Sequence, residues 1–284
     1  MKLDDALART IYERAALCRA FEEESFRQVQ KGNIKFPVYL SAGQEYAPAT
    51  VSAWLERRGL AERQIFIQHR GHSTYLAFGG DLDKLVLELL GDERGCAFGM
   101  GGSASIQSVE AGIYGHDGLM GSHGPIAVGM CYANRKPTLC FTGDAAAEED
   151  YFLAAIGWAS TKGLPILFVV EDNNLSILTE KKVRRNWEMD KVARGMEMAA
   201  FDLEDDPEQI LARIDGALER PMLLNVRTHR LFWHAGAGID STDIFDRHKA
   251  FGARVGADWA AGVNERSRKT VEEAWARNLR LCAK

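Results

Sequence analysis

Apolar residues recur every three or four positions along the first part of the chain. Within residues 3–31, Leu7, Ile11 and Phe21 fall on this spacing, and Gly32 follows the last turn. Such spacing places apolar side chains on one face of a helix, and glycine is typical of the position after a helix end. The sequence therefore predicts a helix over residues 3–31. The same pattern followed by glycine predicts two more helices, over residues 45–58 and 81–90.

The middle of the chain contains short apolar runs that do not alternate with polar residues. Strands that are buried on both faces of a parallel sheet have this pattern, whereas a half-exposed strand alternates. We therefore predict strands over residues 65–67, 138–142, 165–171 and 221–226. Helices are predicted over residues 126–134, 147–161 and 207–218.

Strand, helix and strand over residues 138–171 form a βαβ unit with two parallel strands. The sequence therefore predicts an α/β fold, a doubly wound parallel sheet with helical N- and C-terminal extensions. We expect one domain over residues 1–284, with an N-terminal helical part over 1–60 and a helical C-terminal extension over 242–284. Residues 91–124 are rich in glycine and lack periodicity, which is typical of a functional or disordered segment.

Charge and composition argue against several classes of protein. Lys and Arg number 35 against 40 Asp and Glu, a net charge of −5, whereas a dedicated nucleic-acid binder usually has a basic face. The apolar run 164–170 is far shorter than the ~20 residues of a membrane span, so we expect no membrane partner. Five scattered cysteines without a CxxC motif indicate thiols in a reducing cytoplasm. We expect the basic run 181–185 to be a solvated loop.

Polar side chains follow two consecutive predicted strands. Asp144 follows the strand over 138–142, and Asn174 follows the strand over 165–171. In an open parallel sheet, ligands bind outside the carboxyl ends of the strands, so these residues should lie near each other. Carboxylate and amide oxygens, completed by phosphate oxygens, suit Mg²⁺. Alternatively, Asp144 caps the next helix and Asn174 is a turn residue.

The motif Gly143-Asp144-Ala145, followed downstream by two asparagines, resembles the diphosphate-binding motif of thiamine-diphosphate enzymes. Further segments resemble, in order, the alpha subunit of two-subunit 2-oxo acid dehydrogenase E1 components of the pyruvate, branched-chain and acetoin type. The segments are 42–45 (Ala-Gly-Gln-Glu), 69–72 (His-Arg-Gly-His), 95–103, 118–129 and 230–234. The resemblance extends from about residue 3 to residue 250, in matching order.

The resemblance implies the thiamine-diphosphate-binding fold, in the form of its diphosphate-binding domain, and thiamine diphosphate and Mg²⁺ as cofactors. By this resemblance, Asp144, the Asn174 side chain and the Ser176 backbone oxygen would bind the metal. His69 and Arg70 would contact the diphosphate, since a guanidinium fork fits phosphate oxygens.

The same resemblance implies further roles around the cofactor. Gly143, Ala145 and Ala146 would approach the diphosphate through their backbone. Gly118 and Met120 would line the aminopyrimidine, although Met120 could equally be an ordinary core residue.

Catalytic roles are implied for two histidines. His234 aligns with a loop histidine that orients the substrate, and His123 stands where the family has glutamine. A packed loop histidine is the alternative for His234. Tyr39 stands where many members have a histidine that contacts substrate, so the resemblance does not identify the substrate or the acceptor.

The resemblance implies an enzyme that decarboxylates a 2-oxo acid and transfers the acyl unit. A beta-type subunit carrying the pyrimidine domain would complete it in an α₂β₂ assembly, with a lipoyl acyltransferase as a further partner. A split transketolase or carboligase, which transfers a two-carbon or acyl unit without oxidation, is the alternative within enzymes. A catalytically silent partner subunit is the alternative from another class.

Overall fold

The computed structural model describes residues 1–116, 118–235 and 244–283. Helices surround a central sheet, and a 3₁₀ turn spans Ala146–Glu148. The α-helices are α1 (Asp5–Gln30), α2 (Tyr46–Arg57), α3 (His72–Ala77), α4 (Leu82–Leu89), α5 (His123–Asn134), α6 (Asp150–Thr161), α7 (Lys181–Arg184), α8 (Met189–Gly195), α9 (Pro207–Arg213), α10 (Arg247–Val255) and α11 (Ala257–Cys282). Among these described helices, none has the length and apolarity that crossing a membrane requires.

Six parallel strands form the main sheet of the described residues, in the order β2-β1-β3-β4-β8-β7. A separate antiparallel hairpin consists of β5 and β6. The strands are β1 (Gln64–Phe66), β2 (Ile113–Tyr114), β3 (Thr138–Gly143), β4 (Ile166–Asp172), β5 (Leu175–Ser176), β6 (Thr179–Glu180), β7 (Ala199–Glu204) and β8 (Met222–Arg227). The predicted α/β fold with a parallel sheet is confirmed.

Both faces of the sheet are covered, which explains why the central strands lack alternation. Leu139 and Leu167 point into a core that they share with the terminal helices. Their neighbours Cys140 and Phe168 point into a second core beneath α5 and α6. Since burial is complete on both faces, every position of these strands favours an apolar residue.

The N- and C-terminal helices pack together on one face of the sheet. Helix α1 contacts α2, α3, α10 and α11. Phe21 and Trp275 stack at 6.4 Å between ring centroids, and Tyr12 stacks on His248 at 4.6 Å. The two ends of the chain therefore contribute to the same hydrophobic core.

The glycine-rich segment folds around one carboxylate, that of Glu88. Its Oε2 accepts hydrogen bonds from the N–H groups of Ala97 (2.7 Å) and Gly99 (2.9 Å). Its Oε1 accepts from Gly101 (2.8 Å) and Gly102 (3.0 Å). Gly99 has a φ of +72°, and a Cβ there would lie 2.7 Å from neighbouring backbone, so only glycine fits. Residues 97–102 of this segment are therefore held in place by hydrogen bonds although they lack periodicity.

The order of the strands reverses at β1. From β1 the chain crosses to β2 on one side, and it then returns to β3 on the other side of β1. In doubly wound sheets, ligands bind in the crevice at such a reversal, outside the carboxyl ends of the strands. The topology therefore predicts a ligand site at the residues that follow β1, β3 and β4.

Candidate functional site

A cavity of about 400 Å³ lies at this reversal. Gln68 and Arg70 reach it from the end of β1, Asp144 from the end of β3, and Asn173 from the end of β4. Most of the residues that the sequence predicts for the site line this cavity. They are His69, Arg70, Met120, Gly143, Asp144, Ala145, Ala146, Ser176 and His234.

The predicted metal ligands are placed differently from one another. Asp144 and Ser176 line the cavity, but Asn173 lines it in place of Asn174. Asn174 has a φ of +66°, and its N–H donates to the Asp172 carboxylate at 3.0 Å, as in a tight turn. Asn174 therefore lies in a turn next to the lining, and Asn173 lies within the lining. The role of Asn174 as a metal ligand stays a prediction.

Asp144 does not cap the helix that follows it. The 3₁₀ turn begins after Ala145 without a side-chain cap, and the Asp144 carboxylate instead forms an ion pair with Arg184. Arg185 adds a hydrogen bond to the Asp144 carbonyl at 3.3 Å. Nearby, Lys181 pairs with Asp172 at 2.7 Å.

The expectation of a solvated basic loop over residues 181–185 is therefore wrong for three of its cations. Lys182 is exposed, but the Arg185 side chain is only 1% exposed. The acidic edge of the sheet attracts these side chains because buried carboxylates need a compensating charge.

The carboxylates of this edge differ in their ionisation. Burial, together with the negative charge of Asp172, raises the pKa of Asp144 to about 6, although Arg184 and Arg185 oppose the shift. Burial acts on Asp172 in the same direction, but its bonds with Lys181 and Asn225 outweigh it and lower the pKa. Asp144 is therefore a buried carboxylate that a further cation would stabilise.

Arg70 and His234 form the opposite part of the lining. The Arg70 guanidinium donates to the Leu40 carbonyl at 2.8 Å and contacts His234 Nδ1 at 3.1 Å. Arginine is only a donor, so Nδ1 accepts and the proton of a neutral His234 lies on Nε2. Burial, with the charge of Arg70 next in effect, holds the pKa of His69 well below its usual range.

Tyr39 packs against both histidines of the cavity. Its ring lies edge-on to His69 at 5.0 Å and to His234 at 5.2 Å between centroids. Its backbone N–H donates to Ser103 Oγ at 2.8 Å, and Ser103 in turn contacts His72 Nε2 at 2.9 Å. The predicted loop of His234 continues into residues 236–243, which lie outside the described residues.

Three further predicted site residues differ in their position relative to the cavity. Met120 is 40% exposed, so it is a lining residue and not part of the core. Gly118 is exposed and is not one of the residues that line the cavity. His123 is buried in the first turn of α5, where its Nε2 lies 2.9 Å from the Phe141 carbonyl. The structure thus places His123 outside the cavity, in a hydrogen bond with the sheet.

Sequence reasoning missed Gln68 and Glu171. Gln68 lines the cavity and donates to the fully buried Glu171 carboxylate. Burial raises the pKa of Glu171 to about 8, against the opposing effect of the Gln68 hydrogen bond. The signal that could have revealed both is their position at strand ends beside the reversal point.

The chain is similar in sequence to known proteins. Residues 13–237 match the family described as "Dehydrogenase E1 component". The alpha subunit of acetoin:2,6-dichlorophenolindophenol oxidoreductase from Cupriavidus necator is 30% identical over 186 residues, 64% of this chain and 55% of that protein. The pyruvate dehydrogenase E1 component subunit alpha of Rickettsia bellii is 27% identical over 234 residues, 77% of this chain and 70% of that protein.

Solved structures resemble the chain in fold. A transketolase from Campylobacter jejuni has a TM-score of 0.61 with 17% sequence identity, covering 94% of this chain and 47% of the transketolase. The chain therefore spans about half the length of that enzyme and of the acetoin relative.

Proposed function

Because the chain belongs to the dehydrogenase E1 component family, we propose that it is the alpha subunit of a two-subunit thiamine-diphosphate enzyme. The enzyme would decarboxylate a 2-oxo acid and transfer the acyl unit. The observation that carries this proposal is the cavity at the strand reversal, which Asp144, Asn173, Arg70 and His234 line together. The relatives named as alpha subunits support it.

The residues at the acidic edge fit a divalent cation. Asp144 offers a buried carboxylate, Asn173 an amide oxygen that also accepts from the Leu175 N–H at 3.0 Å, and Ser176 a backbone carbonyl. These are the hard donors that Mg²⁺ prefers. In this structure the Arg184 guanidinium forms the ion pair with Asp144 that a metal ion would otherwise form. We therefore assign Mg²⁺ to Asp144, the Ser176 backbone oxygen and one of two asparagines, the predicted Asn174 or its neighbour Asn173 in the lining.

The remainder of the lining fits a diphosphate and its attached rings. Arg70 presents a guanidinium for phosphate oxygens, and Ala145 and Ala146 bring small side chains and backbone to the same space. Met120 supplies an apolar surface for a ring. The family implies thiamine diphosphate as this ligand.

The chemistry that thiamine diphosphate supplies when bound is a nucleophilic carbanion and an electron sink for decarboxylation. The chain contributes binding and proton placement. His234 carries its proton on Nε2, because Nδ1 accepts from Arg70, and can hold that proton toward a substrate oxygen. Tyr39 packs against the His234 ring and fixes its orientation.

A partner chain completes the proposal. The relatives are named as alpha subunits, which implies a beta subunit. Exposed apolar side chains such as Met100 (85%), Val109 (76%) and Phe98 (67%) offer a surface for such a partner. A lipoyl acyltransferase would be the further partner if the acyl acceptor is a lipoyl domain.

The test reconstitutes this chain with its beta-type partner and supplies pyruvate or branched-chain 2-oxo acids. We expect release of CO₂ and reduction of dichlorophenolindophenol, and both should require thiamine diphosphate and Mg²⁺. Transfer of a two-carbon unit to an aldehyde without dye reduction would instead identify a carboligase. Absence of both turnover and cofactor binding would identify a silent subunit.

A further inference from the structure

Arg184 occupies a central position at the acidic edge of the cavity. Its side chain is 12% exposed and forms an ion pair with the Asp144 carboxylate. Its Nε donates to Glu148 at 3.2 Å, and its Nη1 donates to the Thr179 carbonyl at 3.0 Å. The guanidinium therefore bridges two carboxylates, one of which is the carboxylate assigned to the metal.

A guanidinium and a divalent cation cannot share one carboxylate oxygen at contact distance, because their positive charges repel strongly where water is excluded. Asp144 is 1% exposed, so water screens this repulsion poorly. The guanidinium contacts Oδ2, so a metal ion at Oδ2 requires it to move away, and a metal ion at Oδ1 of the same carboxylate is repelled by it.

The structure provides a place for the displaced guanidinium. Glu148 already accepts from Arg184 and is 20% exposed, so it remains accessible from solvent. Arg184 ends the four-residue helix α7, which follows a hairpin of two-residue strands. A shift of the side chain toward Glu148 would keep its charge paired without disturbing the main sheet.

We propose that Arg184 is a displaceable counter-cation of Asp144, which competes with the divalent metal for that carboxylate and stays paired with Glu148 alone when the metal binds. The proposal rests on the proposed function, because it takes Asp144 as a metal ligand. The protein then never leaves Asp144 buried and unpaired, and its affinity for the metal is lowered by the cost of displacing Arg184.

The experiment measures Mn²⁺ binding to the full chain without thiamine diphosphate, from the electron paramagnetic resonance signal of free Mn²⁺. Arg184→Gln should bind Mn²⁺ about tenfold more tightly than the wild type, since one competing ion pair is removed. Without metal, this variant should melt at a lower temperature than the wild type, because Asp144 loses its counter-charge. Mn²⁺ should raise its melting temperature more than that of the wild type.

The matched control is Lys182→Gln, which removes the same charge from the same segment. Lys182 is 77% exposed and pairs with Glu180, not with Asp144. Mn²⁺ affinity should change little in this variant. Repeating the titration at high salt removes long-range effects of charge and leaves the contact with Asp144.

The outcomes separate the two proposals. If Asp144→Asn abolishes Mn²⁺ binding but Arg184→Gln binds Mn²⁺ no more tightly than the wild type, the counter-cation is refuted and the metal site stands. Weaker binding in Arg184→Gln would show that Arg184 supports the ligand instead of competing with it. If Asp144→Asn binds Mn²⁺ as well as the wild type, the metal assignment itself fails.

Discussion

At the scale of single residues, Asp144 has the clearest expected effect on the proposed cofactor site. Asp144→Asn keeps the shape of the side chain but removes the charge that compensates a divalent cation. We expect the affinity for thiamine diphosphate with Mg²⁺ to fall about tenfold or more, the usual cost of losing a charged partner. Calorimetry on the reconstituted complex measures this.

The matched control is Asp150→Asn, which changes an exposed acid in the first turn of α6. It should leave affinity unchanged, and circular dichroism should show the same fold for both variants. An unaltered affinity in Asp144→Asn would remove Asp144 from the metal site.

His234 separates chemistry from binding. His234→Ala removes the Nε2 proton, so we expect kcat/KM to fall about 10²-fold or more, the range for a positioned acid or base. Cofactor affinity should change little, because Arg70 remains. His229→Ala is the control, since His229 packs on Phe245 at 5.7 Å in the same segment. Normal turnover with lowered melting temperature would identify His234 as a packed loop residue only.

Asp144 can be placed from the sequence because it directly follows β3, a strand whose burial is evident. Arg70 lies four residues past β1, and only the family resemblance points to it. The roles of both residues stay predictions. Which asparagine faces the cavity is not evident from the sequence, because β4 extends one residue past the predicted end, to Asp172. Asn173 is then the first residue beyond the edge, and Asn174 falls in the turn. The burial of His123 is not evident from the sequence either, since α5 begins earlier than predicted and its first turn buries the ring.

At the scale of elements, burial on both faces decides what is predictable. Strand β4 is buried throughout, and β3 and β8 are buried except at their final residues, so their apolar runs are unmistakable. The edge strand β7 is only partly buried, and β2 has two residues that are held by pairing with β1. Neither strand has a hydrophobic pattern that identifies it in the sequence. The helix predicted over 207–218 ends at Arg213.

Glu88 offers a test of how the glycine-rich segment is held. Glu88→Gln replaces one acceptor oxygen with an NH₂ group that faces two backbone N–H donors. We expect a loss of about 2–4 kcal/mol in the free energy of unfolding, because buried donors lose a charged acceptor. Glu93→Gln, an exposed change in the neighbouring loop, should have little effect. Equal denaturation midpoints for the two variants would contradict this role.

At the scale of the whole molecule, stability should depend on the ionisation of Glu171. Its pKa is raised to about 8 in the folded state, so the folded protein holds a proton that the unfolded chain has released above the usual glutamate pKa. The contribution of Glu171 to the free energy of unfolding is therefore greatest at low pH and is lost as the pH rises through about 8.

Three histidines have lowered pKa values, namely His69, His229 and His248. They change the pH dependence of the free energy of unfolding only below their usual pKa of 6.5. Between pH 6.5 and 8, Glu171 should thus dominate, with a slope of up to about 1.4 kcal/mol per pH unit. Glu171→Gln should flatten this slope in urea titrations, whereas Glu180→Gln should not. A slope that persists in Glu171→Gln would assign it to another group.

The carboxylate of Glu88 has a consequence for motion as well. Four amide hydrogens, those of Ala97, Gly99, Gly101 and Gly102, end on the two oxygens of one side chain. When that side chain leaves, all four lose their acceptor in a single event. Their exchange with deuterated water should therefore proceed at one common opening free energy, although they belong to a segment without regular secondary structure.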